Sequence, residues 1–132
     1  MIEIYTDGAS RGNPGKSAVA YVFVNAGKVF ELHSEKIEDA TNNIAEYKAI
    51  IKALAEANMR GYNEVNLSSD SLLVISQIRG DFKIKSPHLS QLLNEVNTVT
   101  KNFQRIEFKH VDRENKFIKI ADNLCTIILG PK

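Results

Sequence analysis

The strongest constraint on the fold of this chain is a change in the spacing of its apolar residues near Asn43. The N-terminal third carries three runs rich in β-branched and aromatic residues, IEIYTD and the two halves of AVAYVFVNAGKVFELHSEKI. Such runs joined by short turns predict three strands in an antiparallel meander. After Asn43 the apolar residues recur every three or four positions, which predicts a helix closed by Gly61. The recurring positions are Ile44, Tyr47, Ile51 and Leu54.

The rest of the chain alternates between strand-like and helix-like segments. EVNLSS predicts a strand, SLLVISQI a short helix, and SPHLSQLLNEVNTVTKNF a longer helix with Ser86 as N-cap and Pro87 in its first turn. QRIEFKHV predicts a last strand and IKIADNLCTII a closing helix, with HVDRENKF as a mobile loop between them. Short crossovers through helices favour parallel strands. We therefore predict an α/β fold, a mixed five-stranded sheet flanked by helices, in a single domain over residues 1–132.

Composition narrows the class of protein. No apolar run approaches the roughly 18 residues of a membrane span, and the N-terminus lacks the pattern of a secretory signal. Cys125 is the single cysteine, which suits a small core residue in a reducing compartment. We expect a cytoplasmic protein and, without a long exposed apolar run, a monomer with no obligatory protein partner.

The net charge is +1, but residues 79–119 carry nine basic against five acidic residues. That surplus suits either contact with phosphates or an ordinary solvated surface.

Four carboxylates stand near the ends of predicted elements. Asp7 and Asp70 each end a strand, whereas Glu46 and Asp122 lie near the start of a helix. Each has a purely structural explanation. Asp7 before a glycine suits a turn, Glu46 suits a capping box with Asn43, Asp70 suits an N-cap, and Asp122 suits an exposed helix face.

Taken together, the four carboxylates favour a shared site. The C-terminal ends of strands in an α/β sheet meet where ligands commonly bind, so these side chains should converge. Four carboxylates in one place repel strongly unless a cation lies between them. Ligation by oxygen alone selects hard ions such as Mg²⁺ or Mn²⁺, and carboxylate-held hard ions pair with phosphate.

The segments YTDGASRGNPG, TNNIAEYKAI, LSSDSLLVISQI and HVDRENKFIKIADNLC, in this order, resemble the type 1 ribonuclease H family. The resemblance covers nearly the whole chain. It is greatest to the short members without a basic protruding helix, since one helix fits between Ser86 and Phe103. It implies hydrolysis of the RNA strand of RNA/DNA hybrids with two Mg²⁺ or Mn²⁺ ions, held by Asp7, Glu46, Asp70 and Asp122. By the same resemblance, Asp7 bridges both ions.

The resemblance also implies substrate contacts. The glycines of the first motif would let the RNA strand approach the backbone, and asparagines would reach a groove edge or a 2′ hydroxyl. Turn and cap chemistry is the competing explanation for Asn13 and Asn43. The implied substrate-binding residues are Gly8, Ala9, Ser10, Asn13, Asn42 and Asn43.

The chain departs from the family pattern at two places. Leu72 stands where the family usually has glutamine, which removes one polar substrate contact. Asn115 lies seven residues before Asp122 instead of four, which suggests a longer loop there. Arg113 is the candidate for a further catalytic residue, whereas His110 is predicted to be the last residue of its strand. Two other interpretations stay open: a weakly active or inactive nucleic-acid-binding protein of this fold, and a related metal nuclease that acts on DNA.

Overall fold

The computed structural model describes residues 1–131, and Lys132 of the predicted domain lies outside the described residues. These residues form one five-stranded mixed sheet with helices on its faces, as predicted from the sequence. The elements are β1 (Ile2–Ser10), β2 (Gly15–Asn25), β3 (Lys28–Ala40), α1 (Asn42–Met59), β4 (Glu64–Ser69), α2 (Leu72–Arg79), α3 (Pro87–Thr100), β5 (Arg105–His110) and α4 (Lys116–Leu129).

The strand order is β3-β2-β1-β4-β5, with the first three strands antiparallel and both later pairings parallel. The predicted turn between β2 and β3 is formed by Ala26 and Gly27, which both have positive φ. Parallel pairing of β1 with β4 ends at Tyr5 opposite Ser68. Asp7 therefore lies two residues beyond this pairing, at the end of the sheet where β4 also stops.

Helix caps fix where the helices begin. Thr41 caps α1 by accepting from the Ile44 amide at 3.2 Å, and Ser86 caps α3 in the same way with Pro87 after it. The helix α1 therefore starts one residue before the predicted Asn43. Its five turns place Glu46 in the second turn rather than in the first turn expected from the sequence.

The last helix also starts earlier than the sequence pattern indicates. The side chain of Asn115 accepts from the amides of Phe117 and Ile118 at 2.9 and 3.2 Å, so α4 begins at Lys116. The expectation of a longer loop before Asp122 is therefore wrong. The additional residues extend the helix, and five residues, 111–115, connect β5 to α4.

Two apolar layers hold the helices on the sheet. One face of the sheet packs on α1, α2 and α3 around Phe23, Tyr47 and Leu67, all fully buried. The other face packs on α4, where Ile118 and Cys125 are covered against β1 and β2. Cys125 is a buried core residue, as predicted. Both layers position acidic residues, because Glu46 is carried by α1 and Asp122 by α4.

Candidate active site

Asp7, Glu46 and Asp70 converge at the C-terminal ends of β1 and β4. Each offers one carboxylate oxygen, and the three oxygens lie within 4.8 Å of one another. Asp7 is 6% exposed and Glu46 is 5% exposed, whereas Asp70 is half-buried. The convergence expected from the sequence is therefore present for three of the four carboxylates.

Burial and mutual repulsion make these groups reluctant to ionise. Burial, followed by the charges of Asp70 and Asp122, raises the pKa of Asp7 to about 8. Burial and the charge of Asp7 raise the pKa of Glu46 well above its usual range, against the opposing effect of a backbone hydrogen bond. Burial also raises the pKa of Asp70, with Arg113 opposing. A divalent cation among the oxygens would remove this cost.

Glu46 is held by a contact that rules out the capping-box explanation. The Gly8 amide donates to Oε1 of Glu46 at 2.7 Å, which joins β1 to α1 across the site. A β-carbon on Gly8 would lie 2.2 Å from the main-chain carbon and oxygen of Ala45. Gly8 is therefore required by the close approach of α1. The sequence pattern explained this glycine by access for the RNA strand, whereas the structure explains it by the packing of α1 against β1.

Asp70 is not an N-cap either. The cap of α2 is Ser71, whose hydroxyl accepts from the Val74 amide at 3.2 Å. This leaves the Asp70 side chain free of helix capping. The charge of Asp70 raises the pKa of Asp7, and the charge of Asp122 raises the pKa of both groups.

Asp122 lies in the second turn of α4 and is exposed, outside the group of oxygens within 4.8 Å. Its charge still raises the pKa values of Asp7, Glu46 and Asp70, so it borders the same site. Cys125, one turn later, packs beneath Asp7 with its Sγ 3.6 Å from the Asp7 carbonyl oxygen. This contact fixes α4 relative to β1 and keeps Asp122 next to the carboxylates.

Two basic residues share an open cleft of about 450 Å³ with Glu46 and Asp70. Arg113 and His110 line it, and positive charge on either one opposes the rise in the pKa of Asp70. Arg113 therefore lies where the sequence predicted it. His110 ends β5, as predicted, and also faces the cleft. The sequence reasoning missed Ser71 and Asp112, which complete the lining together with Asn42. Ser71 follows Asp70 and Asp112 precedes Arg113 in the sequence, and this adjacency to predicted site residues could have indicated both.

The loop after β1 lies against the start of α1. Oδ1 of Asn13 accepts from the Asn42 amide at 3.3 Å, so the two predicted substrate-binding asparagines are neighbours. Asn13 is exposed, and Asn42 and Asn43 lie beside it at the start of the helix. A β-carbon on Gly12 or Gly15 would clash with the loop itself, at 2.7 and 2.6 Å. These glycines keep the loop compact.

The departure at Leu72 is visible at the rim of the site. Leu72 is the first residue of α2, two residues after Asp70, and is 56% exposed. Its side chain offers no hydrogen bond to a substrate. The other departure, at Asn115, is explained by capping of α4, which occupies the Asn115 side-chain oxygen.

The carboxylate cluster suits a hard divalent cation. Its three converging donors are all oxygens, and their raised pKa values show that they are poorly compensated by the protein. Mg²⁺ and Mn²⁺ prefer such donor sets.

Comparison with known proteins identifies the family. The family model described as "Reverse transcriptase-like" matches residues 5–127. A ribonuclease H of Thermoanaerobacter sp. is 33% identical over 141 aligned positions, which cover 96% of this chain and 88% of that protein. The chain belongs to the type 1 ribonuclease H family. The resemblance seen in the four sequence motifs is confirmed.

Solved ribonuclease H structures share the whole fold. The RNase H1 of Halobacterium salinarum NRC-1 superposes with a TM-score of 0.93 at 36% identity, over 97% of this chain and 96% of that one. LC11-RNase H1, solved in complex with an RNA/DNA hybrid, gives 0.87 at 34% identity over 95% and 94%. The predicted ribonuclease H-like architecture is therefore confirmed.

Several curated relatives are longer proteins. The chain spans 31% of the bifunctional protein Rv2228c of Mycobacterium tuberculosis and 57% of the ribonuclease HI of Halobacterium salinarum, each 37% identical over 85% of this chain. Across residues 1–131, none of the helices combines the length and apolar character needed to cross a membrane.

Proposed function

We propose that this protein is an endoribonuclease that hydrolyses the RNA strand of RNA/DNA hybrids with the help of divalent cations. The observation that carries the proposal is the set of three carboxylate oxygens within 4.8 Å, contributed by β1, α1 and the end of β4. The family supplies the reaction class, and LC11-RNase H1 binds such a hybrid.

Asp7, Glu46, Asp70 and Asp122 are the residues that would hold Mg²⁺ or Mn²⁺, with two ions proposed per site. Bound ions would supply an activated water and stabilise the departing 3′ oxygen. The protein contributes a fixed frame for the ligands. Glu46 is oriented by the Gly8 amide, and Asp122 is held beside Asp7 by the packing of Cys125.

Arg113 and His110 line the same cleft as Asp70, and positive charge on either one acts on that carboxylate. We assign to Arg113 the stabilisation of negative charge that develops on the scissile phosphate, because a guanidinium presents a planar fork of N–H donors that matches phosphate oxygens.

The substrate-binding surface is proposed to run from the end of β1 to the start of α1. Asn13, Asn42 and Asn43 offer amide groups to 2′ hydroxyls and to the groove edge. Ala9 and Ser10 border the same approach. The Gly8 amide is already bonded to Glu46, so a contact from Gly8 to a 2′ hydroxyl has to use its carbonyl oxygen.

A second candidate function is hybrid binding with little or no cleavage. It is favoured by Leu72, an exposed apolar side chain at a position of substrate contact, and by the use of Asn115 as a helix cap. The carboxylate frame is intact in this case, so cations would still bind. A monomeric state and a cytoplasmic location stay predictions from the sequence.

One assay separates these candidates. The purified protein is incubated with a labelled RNA/DNA hybrid, double-stranded RNA and double-stranded DNA, each with Mg²⁺, with Mn²⁺ and with EDTA. We expect metal-dependent cuts in the RNA strand of the hybrid alone, abolished by Asp7→Asn. Binding without cleavage in either metal would favour the second candidate, and cleavage of DNA would contradict both.

A further inference from the structure

A second concavity lies between the end of β1 and α4. It measures about 730 Å³ and is lined by the end of β1 with its following loop and by the last turns of α4. The lining residues are Ala9, Ser10, Arg11, Thr126 and Leu129. We refer to it as the α4 groove.

Both segments that line the α4 groove also carry a carboxylate of the site. Ala9 follows Asp7 by two residues along β1. Thr126 lies one turn beyond Asp122 and donates its hydroxyl to the Asp122 carbonyl oxygen at 3.2 Å. Leu129 is seven residues beyond Asp122, which corresponds to about 10 Å along a helix that rises 1.5 Å per residue. A chain molecule bound at the carboxylates can therefore continue along the groove.

Arg11 is the charged group of the groove lining. It is half-buried, and its backbone is fixed because its amide donates to the Lys16 carbonyl oxygen at 2.8 Å. Its Nη1 donates to the Leu129 carbonyl oxygen at 3.4 Å, a long hydrogen bond. Within residues 1–131 the guanidinium makes no ion pair. The Arg11 guanidinium thus lines the groove with five N–H donors, most of which are available to a ligand.

We propose that Arg11 binds a backbone phosphate of the RNA strand within about three nucleotides of the bond that is cut. The inference rests on the proposed function. A strand advances about 3.4 Å per nucleotide along the duplex axis, so 10 Å corresponds to about three nucleotides. The RNA strand is favoured over the DNA strand because Ala9 and Ser10, the neighbours of Arg11, are the proposed contacts to that strand. Arginine suits phosphate because its fork matches two oxygens.

The first test measures the salt dependence of hybrid binding in the cleavage-blocked Asp7→Asn background. Arg11→Gln keeps an N–H donor for the Leu129 carbonyl but removes the charge. Loss of one phosphate contact should weaken binding about five- to tenfold at low salt and reduce the slope of log K against log salt by about 0.9. The control is Lys28→Gln. Lys28 is the first residue of β3 and pairs with Asn25 at the last residue of β2, far from Arg11, so this substitution should change neither the affinity nor the salt slope.

The second test locates the phosphate. Neutral methylphosphonate groups are placed singly at each of three RNA phosphates on either side of the cleavage position, and at matched positions of the DNA strand. At one RNA position the neutral group should remove the difference in affinity between the protein with Arg11 and its Arg11→Gln variant. Additive effects at every position, or coupling to the DNA strand alone, would overturn the proposal.

The outcomes distinguish this inference from the proposed function. A wild-type protein that never cuts the hybrid refutes the proposed activity. A wild-type protein that cuts normally, with an Arg11→Gln variant of unchanged salt slope, refutes the phosphate contact alone. A lower melting temperature of the Arg11→Gln variant with an unchanged salt slope would show that Arg11 only stabilises the packing of α4, and this result would also overturn the proposal.

Discussion

Removing the charge of Asp70 should make the metal-free protein more stable at alkaline pH. The carboxylate oxygens of Asp70 and Asp7 lie within 4.8 Å. At that distance two unit charges repel by about 3.5 kcal/mol at an effective dielectric constant of about 20, and by about 1 kcal/mol in water. Asp70 is half-buried, so solvent screens part of the repulsion. We therefore expect Asp70→Asn to raise the free energy of unfolding by about 1 to 2 kcal/mol.

The gain should depend on pH in a defined direction. Burial and neighbouring charges raise the pKa of Asp7 to about 8 in the folded protein. The folded state thus holds this proton more tightly than the unfolded chain, so the stability from this group is greatest below about pH 4. It is lost as the pH rises through about 8. At pH 9 Asp7 is mostly charged and Asp70→Asn should help, whereas at pH 5 Asp7 is neutral and the gain should nearly disappear.

The assay is thermal unfolding followed by circular dichroism, in EDTA at pH 5 and pH 9. For a chain of this size 1 kcal/mol corresponds to about 3 to 5 °C, so the expected rise at pH 9 is about 3 to 10 °C. Asp81→Asn, at an exposed position after α2, is the matched control and should stay within about 0.5 kcal/mol of wild type. An unchanged or lower melting temperature for Asp70→Asn at pH 9 would refute the argument from repulsion.

Three further substitutions test the frame and the rim of the site. Gly8→Ala should destabilise the fold by more than about 3 kcal/mol in denaturant unfolding, because the new methyl group meets the Ala45 backbone. The control, Gly27→Ala, places its methyl group in open space and should cost about 1 kcal/mol because of the positive φ at that position. Leu72→Gln should lower KM for the hybrid about two- to tenfold in steady-state cleavage by adding a polar contact, and an unchanged KM would count against a substrate role there. Arg113→Ala should lower kcat about ten- to a hundredfold with little change in melting temperature, and partial activity in Arg113→Lys would separate charge from geometry.

The mixed five-stranded sheet could be predicted because the sequence contains separate local signals for its strands, whereas the strand order was not predicted. The β-branched runs of the meander, the turn before Lys28 and the Ser86-Pro87 helix start each act within a few residues. Short crossovers predicted parallel neighbours for the later strands, and β4 and β5 are parallel. The start of α4 was mispredicted because Asn115 acts as its cap, and a side chain that caps a helix looks the same in sequence as one that binds a ligand.

The site was predictable in membership but not in geometry. The spacing of Asp7, Glu46 and Asp70 at element ends indicated that they meet. It could not show that the Gly8 amide orients Glu46, since this contact spans 38 residues and depends on how α1 packs on β1. It also could not place Asp122, which lies on the rim because its helix crosses the opposite face of the sheet.

The central claim is that side chains from three separate elements form one binding site for divalent cations. Calorimetric titration of Mn²⁺ into the metal-free protein, with wild type, Asp7→Asn and Asp81→Asn compared at one pH, tests it most directly. We expect saturable binding to wild type that Mg²⁺ displaces, the same binding to Asp81→Asn, and a loss of at least about tenfold in affinity for Asp7→Asn. Equal Mn²⁺ affinity in wild type and Asp7→Asn would contradict the claim.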